Sequence, residues 1–533
     1  MQQSLPYPLS SLDTNVLLVL VTVGVVLIVS SLNTGGKIKL PGPRPWPVVG
    51  NLLQIGEDAA ITYAEWAKVY GPVFKVVLGE REVVVVNSAA AAKELFIDQG
   101  STYISRPMFH TFHKVVSSTA GFTIGTSPWD ESCKRKRKAA ATALNRVYVQ
   151  TYVPIIDSET LSLIEELYKD TDKGRLAINP FAYLQRLALN VSLVVNYGSR
   201  LDKVGDGLLK EIVEVETEVA QFRSVSGTPS DYIPLLRYLP SLTRGGTKEK
   251  AVEIRKRRDR YMNLLLDDLK ERVKKGTDIA CITGNILKDP EAKLNDMELS
   301  SICLSMVSAG LDTLANTLIW SMGFLAKHPE IQEKAYRAMY DVYKGDIPDS
   351  SEEKVDYITA LHKECSRYFS IIKLSLPRAT LGDSQYRGVH IPDGTTVFLN
   401  AYAIHNDEER YEDAKAFRPE RYLEKKEENL QAHYSFGAGR RMCAGVHLAN
   451  REMYIAFCKI IYFFKILPSD VKGEEDFDIC PETACANPRG LSHAPKDFKI
   501  RFVPRDRSTI EEWIASEKNR AELQMAAEIK ARI

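Results

Sequence analysis

The run Phe436-Gly437-Ala438-Gly439-Arg440-Arg441-Met442-Cys443-Ala444-Gly445 constrains this chain more than any other stretch. Its glycines let the backbone approach a flat ligand closely and take positive φ where a turn requires it. Amide N–H groups around such a loop can point at the Cys443 sulfur and tune it. A lone cysteine is ordinarily a small buried hydrophobe. Here the cysteine closes a glycine-rich loop, with Arg441 two residues ahead and able to reach the acidic edge of the ligand. The whole run reads as a loop that offers one thiolate to a heme iron.

At 533 residues the chain is long enough for one large domain or several. Its 70 Lys+Arg against 69 Asp+Glu leave a formal charge of +1, so no global field directs it to nucleic acid. The eight cysteines are scattered, and Cys480 and Cys485 have the wrong spacing for a metal or redox pair, which reads as reduced cytosolic thiols. Val16–Leu32 is almost wholly apolar. Seventeen residues is the short end of a bilayer span. No basic residue precedes it, while Lys37, Lys39 and Arg44 follow, which places the C-terminal bulk in the cytosol and favours a retained anchor over a cleaved signal peptide. Asn190-Val191-Ser192 matches a glycosylation acceptor that this topology leaves silent.

The anchor leads into Leu40-Pro41-Gly42-Pro43-Arg44-Pro45-Trp46-Pro47, a stiff extended linker. Val73–Leu78 and Glu82–Asn87 read as a hairpin, and a second strand-rich patch spans residues 376–399. Ile155–Tyr168, Gly207–Phe222 and Lys248–Lys275 carry apolar residues at helical spacing. The expected fold is mainly α: a large helical heme-binding body with small β-sheets, preceded by one N-terminal transmembrane helix. The expected division is an anchor at 1–36, a body at 37–506 and a charged tail at 507–533. The tail, with helical periodicity, reads as a surface appendage.

Three further patterns carry chemistry. Ala309-Gly310-Leu311-Asp312-Thr313 lies inside an apolar helical stretch from Ile302 to Leu325, about 130 residues before Cys443. Thr313 could simply bond back to its own helix. An acid beside an alcohol also suits proton delivery. Glu364 and Arg367, three apart, share a helix face, where a surface ion pair is the ordinary reading. Trp129 precedes the basic run Lys134-Arg135-Lys136-Arg137-Lys138, ordinarily a solvated face. His110, His113 and His405 read as surface or pocket-wall histidines.

Together these motifs resemble the cytochrome P-450 superfamily of heme-thiolate monooxygenases, over about Lys39 to Arg505. The resemblance implies heme b with Cys443 as axial ligand of the iron. Phe436, Gly437 and Gly439 would shape the loop. Arg441, Arg378 and Trp129 would meet the heme propionates. An arginine is usual four residues after Trp129, and the position is Cys133 here, so Lys134 or Arg135 would substitute. The small Ala309-Gly310 pair would admit heme and O2, and Asp312 and Thr313 would be the catalytic proton-delivery pair. Phe417-Arg418-Pro419-Glu420-Arg421-Tyr422 resembles the segment whose arginine joins a buried structural network, here Glu364, Arg367 and Arg421. The proline-rich linker resembles the hinge of microsomal members, which implies a single-pass endoplasmic reticulum protein. Implied partners are O2, a small aromatic substrate and an NADPH-dependent flavoprotein reductase, with cytochrome b5 as a second donor.

Ser118–Lys134 and Ala139–Arg146 resemble fungal enzymes that hydroxylate small aromatics: phenylacetate hydroxylases, and the m-cresol and 3-hydroxybenzyl alcohol hydroxylases of patulin-type polyketide pathways. A phenylacetate site needs a cation for a buried carboxylate, and the pocket segments offer Lys114 and Arg489. Ser305, Met306 and Ala309 suit a neutral phenol, which is the preferred expectation, with a phenylacetate or hydroxyphenylacetate ring hydroxylase as the alternative. A heme-thiolate isomerase or dehydratase, independent of a reductase, and a non-enzymatic membrane scaffold are the readings from other classes.

Overall fold

The computed structural model describes residues 19, 22, 24, 37–224, 228–238, 247–289, 291, 293–424 and 433–517. The expected span Val16–Leu32 lies almost wholly outside the described residues, as do 518–533 of the tail. The principal helices are α1 (Glu131–Ala143), α2 (Arg146–Asp170), α3 (Phe181–Tyr197), α4 (Gly207–Gln221), α5 (Thr247–Lys275), α6 (Asp296–Lys327), α7 (Asp356–Phe369) and α8 (Val446–Phe463). Helix α2 begins nine residues before the sequence suggests and runs through Pro154, because the Asn145 side chain caps it by accepting from the Val147 and Tyr148 N–H groups.

One sheet joins distant parts of the chain. Strands β1 (Val73–Leu78) and β2 (Arg81–Val86) form the expected hairpin, and β2 pairs in parallel with β6 (Thr396–Leu399), with Val83 opposite Thr396. Strand β3 (Arg378–Ala379) completes the order β1-β2-β6-β3. The Val83–Val86 run is buried throughout, as a strand paired on both sides and covered on both faces requires. The proline-rich linker lies along this sheet: the Lys75 N–H donates to the Pro41 carbonyl, and a Cβ at Gly42 would meet Lys75 O at 2.0 Å. Small hairpins β4–β5 (Ser384–Tyr386, Val389–Ile391) and β7–β8 (Phe464–Pro468, Ile500–Pro504) complete the strands described.

Helix α6 is the axis of the body. Asn295 and Glu298 cap its start reciprocally, and every residue from Leu314 to Ala326 is buried. Trp320 stacks on Phe369 of α7 at 5.4 Å. Helix α6 is the one helix among the described residues long and apolar enough to cross a membrane, and burial inside the body accounts for its apolarity. At Gly310 a Cβ would meet Ser192 Oγ of α3 at 1.9 Å. The glycine thereby permits the close α6–α3 crossing. Asn190 is buried in α3, where its amide donates to Glu159 and to the Leu201 carbonyl, so it is a core residue.

The tail is less of an appendage than its charge suggests. Residues 507–517 are helical, Ile510 and Trp513 are buried, and Trp513 lies 4.6 Å from Phe463 of α8. All eight cysteines are free.

Candidate active site

Cys443 sits just ahead of α8, behind a short turn at Gly439–Arg441. Its N–H donates to the Phe436 carbonyl at 3.0 Å, and the Gly437 N–H donates to Tyr434 O, which folds the segment back on itself. Gly437 needs its φ of +73° for the bend alone. Gly439 needs φ of +58° and the absence of a side chain, since a Cβ would strike Phe96 O at 1.8 Å. Phe436 is half-buried, 5.5 Å from His433. Burial pushes the Cys443 thiol up, while the Gly445 backbone N–H and the Arg137 guanidinium hold it down. The same cysteine is surface-accessible, unlike six of the other seven.

Four guanidiniums gather beside this loop. Arg441 donates to the carbonyls of Ile104, Ile124 and Ser127 at 2.9–3.1 Å. Arg378 donates to Tyr103 O and Ala438 O, Arg106 to Leu376 O and Pro377 O, and Arg137 to Arg440 O and Met442 O. Every one of these acceptors is a neutral carbonyl. Burial and the neighbouring arginines push Arg378 down to about 9 and Arg441 to about 10, and Arg106 well below its ordinary value. The buried Nε atoms of Arg106 and Arg441 have no partner. Such a cluster wants external carboxylates. The two propionates of a heme on Cys443 are what it fits.

Trp129 has the Arg441 guanidinium 5.9 Å from its ring, and its N–H donates to Ser105 Oγ. Lys134 Nζ also lies 5.9 Å from the Trp129 ring. It is about half exposed and pairs with Glu131 at 2.6 Å, one turn back on α1. Arg135 turns to Glu298 instead. Helix α1 also brings Arg137 to the loop, four residues after Cys133 and hence on the same helix face. Arg106 lies in an extended segment with no sequence signal of its role.

Helix α6 shares an apolar cluster with the cysteine segment through Met306 and Ala444, and it is exposed at Ala309 and half-buried at Ser305, Met306, Asp312 and Thr313. The Thr313 hydroxyl donates to the Ala309 carbonyl at 2.8 Å, which is the bond within its own helix. Burial and the Glu216 carboxylate push Asp312 up to about 7, opposed by Arg223 and a hydrogen bond with Ser492. Its carboxyl thus titrates near neutrality, as an acid–base group should. Ser305 is occupied: it donates to Ser301 O and accepts from the Ile124 N–H.

Glu364, Arg367 and Arg421 come together in the interior. Glu364 takes a bidentate pair from Arg367 at 2.7 and 2.8 Å, a bond from Arg421 at 3.2 Å and the Arg418 N–H at 2.8 Å. Arg367 also donates to the carbonyl of His405, whose Nε2 accepts the Tyr434 N–H at 2.7 Å. His405 is therefore buried and part of the chain of bonds reaching the cysteine loop, not a surface or pocket-wall residue. His113 is also buried, its ring 5.0 Å from Phe112 and from Phe122.

The family model "Cytochrome P450" matches residues 40–493. The chain is 51% identical over 493 residues to "Phenylacetate 2-hydroxylase" of Emericella nidulans, covering 91% of this chain and 94% of that protein. It is 44% identical over 477 residues to "3-hydroxyphenylacetate 6-hydroxylase" of the same organism, covering 89% and 90%. It is 46% identical to "Cytochrome P450 monooxygenase CYP3" of Mycosarcoma maydis, covering 94% and 93%. With the cysteine loop, the arginine cluster and the mainly helical body in place, the chain belongs to the cytochrome P450 family.

Proposed function

We propose that this monooxygenase hydroxylates the aromatic ring of a small arylacetate, phenylacetate or a hydroxyphenylacetate, with Cys443 as the axial ligand of its heme. The observation that carries the substrate class is the agreement of two relatives, each over 40% identical across about nine-tenths of both chains, that are named for arylacetate ring hydroxylation. This reading prefers the arylacetate to the neutral phenol that the pocket segments alone suggest. A patulin-type pathway finds no support among these names.

When bound, a heme held on Cys443 would supply O2 activation, in which two electrons and two protons take one oxygen atom to water while the other enters the substrate. The chain supplies position and protons. Arg106, Arg137, Arg378 and Arg441 hold the propionates. Gly445 N–H stabilises the sulfur as thiolate. Asp312, titrating near 7, passes protons inward from the Glu216–Ser492 side. Thr313 offers its hydroxyl once it rotates off the Ala309 carbonyl. Glu364, Arg367 and Arg421 fix the backbone around the loop. We read residues 37–506 as the catalytic body, 507–533 as a tail whose start docks on α8, and 1–36 as a single-pass endoplasmic reticulum anchor. The electrons come from an NADPH-dependent flavoprotein reductase.

The test is product analysis with phenylacetate, m-cresol and 3-hydroxybenzyl alcohol in the presence of NADPH and a reductase. Ring-hydroxylated phenylacetate is the expected product. Turnover of the neutral phenols alone would return the substrate to the phenol class, and turnover without NADPH would indicate an isomerase or dehydratase.

A further inference from the structure

We propose that Arg223 is the residue that receives the substrate's carboxylate. The proposal rests on the arylacetate reading and names the cation that reading requires.

A cleft that reaches Pro377, whose carbonyl accepts from Arg106, is lined by three cations, Arg223, Lys373 and Arg489, together with Leu374, Ser375 and Leu491. Two of the cations are already neutralised. Lys373 Nζ lies 2.5 Å from Asp58. Arg489 pairs with Glu57 at 3.5 Å, where both side chains are mostly exposed. Lys114, the other cation suggested by sequence, is exposed and outside the lining.

Arg223 differs. It lies two residues past the end of α4, and its guanidinium carbon is 5.5 Å from the centre of the Phe112 ring. Its buried Nε has no partner, and its side chain makes no hydrogen bond or ion pair with a described residue. Glu216 on α4, whose charge acts on Arg223, meets Arg258 Nε at 3.1 Å and accepts from the Tyr261 hydroxyl at 2.5 Å through one oxygen, and it makes no ion pair with Arg223. Burial and Arg258 push Arg223 down to about 10, while Glu216 and Asp312 pull the other way. Neither Glu216 nor Asp312 pairs with Arg223, and its unpartnered Nε leaves the guanidinium to take a guest anion.

The location also suits the chemistry. Arg223 feels Asp312, one residue before Thr313 on the α6 turn above the cysteine loop. A carboxylate held in the planar fork of Arg223, one methylene from an aryl ring, leaves the ring to pack against the apolar lining of the cleft, Leu374 and Leu491. Lys373 and Arg489, with their own carboxylates, offer no such vacancy of charge.

The test is a heme spin-state titration of the full-length holoenzyme with phenylacetate and with its neutral isostere phenylacetamide, for the native protein and the Arg223→Met, Arg223→Lys and Arg489→Met variants. Arg223→Met should weaken phenylacetate roughly 10- to 100-fold, the range of one charge-assisted hydrogen-bonded contact, and leave phenylacetamide within about threefold. Arg223→Lys should recover part of the loss, and Arg489→Met should change neither ligand. Native binding of phenylacetate that survives Arg223→Met would overturn the assignment and leave the arylacetate reading standing. Equal loss of acid and amide would also overturn it, since a structural role would then explain the variant. A native protein that shifts with neutral phenols and never with phenylacetate would overturn both.

Discussion

Two buried arginine clusters in this protein look alike in composition and differ in what neutralises them. Around Glu364, two guanidiniums share a carboxylate from the same chain, and Arg367 is held above its ordinary pKa by that contact, against the cost of burial. Around Arg441, four guanidiniums share only carbonyls; burial pushes all four down, and neighbouring arginines add to this at Arg106, Arg378 and Arg441. The first cluster is complete as folded; the second is complete only with a dianionic ligand. A buried cation without its own anion therefore marks a binding site more reliably than conspicuous surface charge does. Arg223 is a third, smaller instance of the same imbalance.

The largest effect should come from breaking the complete cluster. Glu364→Ala leaves Arg367 and Arg421 buried without a carboxylate and should cost roughly 3–5 kcal/mol, seen as a lowered Tm of both apoprotein and holoprotein. A variant that unfolds normally would mean that the network is dispensable.

Asp312 should give the next effect, through pH. Its folded pKa is raised from 3.8 to about 7, so the native state holds the proton more tightly than the unfolded chain. Its contribution is neutral below pH 4, becomes increasingly unfavourable as pH rises to 7, and is constant above that. The full shift corresponds to on the order of 4 kcal/mol. Denaturant unfolding of Asp312→Asn against the parent should show the variant gaining relative stability between pH 4 and 7. Parallel pH curves would refute the raised pKa.

Arg441→Ala should weaken heme retention roughly 10- to 100-fold while costing the apoprotein little, because relief of repulsion offsets the lost carbonyl bonds. Apoprotein and holoprotein losing equal stability would erase the distinction between the clusters. The smallest effect separates neighbours on α1: Arg137→Ala should measurably speed heme transfer to apomyoglobin, and Lys134→Ala should leave that rate unchanged.

How far these clusters are legible in the sequence follows from the same physics. The helical body, the β1–β2 hairpin and α6 are written in local periodicity and turns. The cysteine loop and the Glu364–Arg367 pair are also short-range, since i,i+3 spacing puts both side chains on one face. Arg106, Arg137 and Arg223 were not legible, because each acquires its role from segments far away in the chain. Arg106 meets Arg441 across more than 300 residues, and Arg223 meets Asp312 from another helix. Lys134 lies beside Trp129 and pairs with Glu131, while Arg137 one turn on bonds the loop carbonyls, a difference of helix face that a position count does not show. The helix-crossing role of Gly310 is not legible either, because Ser192, which requires it, lies on another helix.

The most direct test of the account is the carbon monoxide difference spectrum of the reduced holoprotein, native against Cys443→His. The native protein should show the red-shifted band of a thiolate-ligated heme, and the variant should retain heme in its arginine cradle yet lose that band. A band that persists in the variant would contradict the assignment of Cys443 and the site built around it.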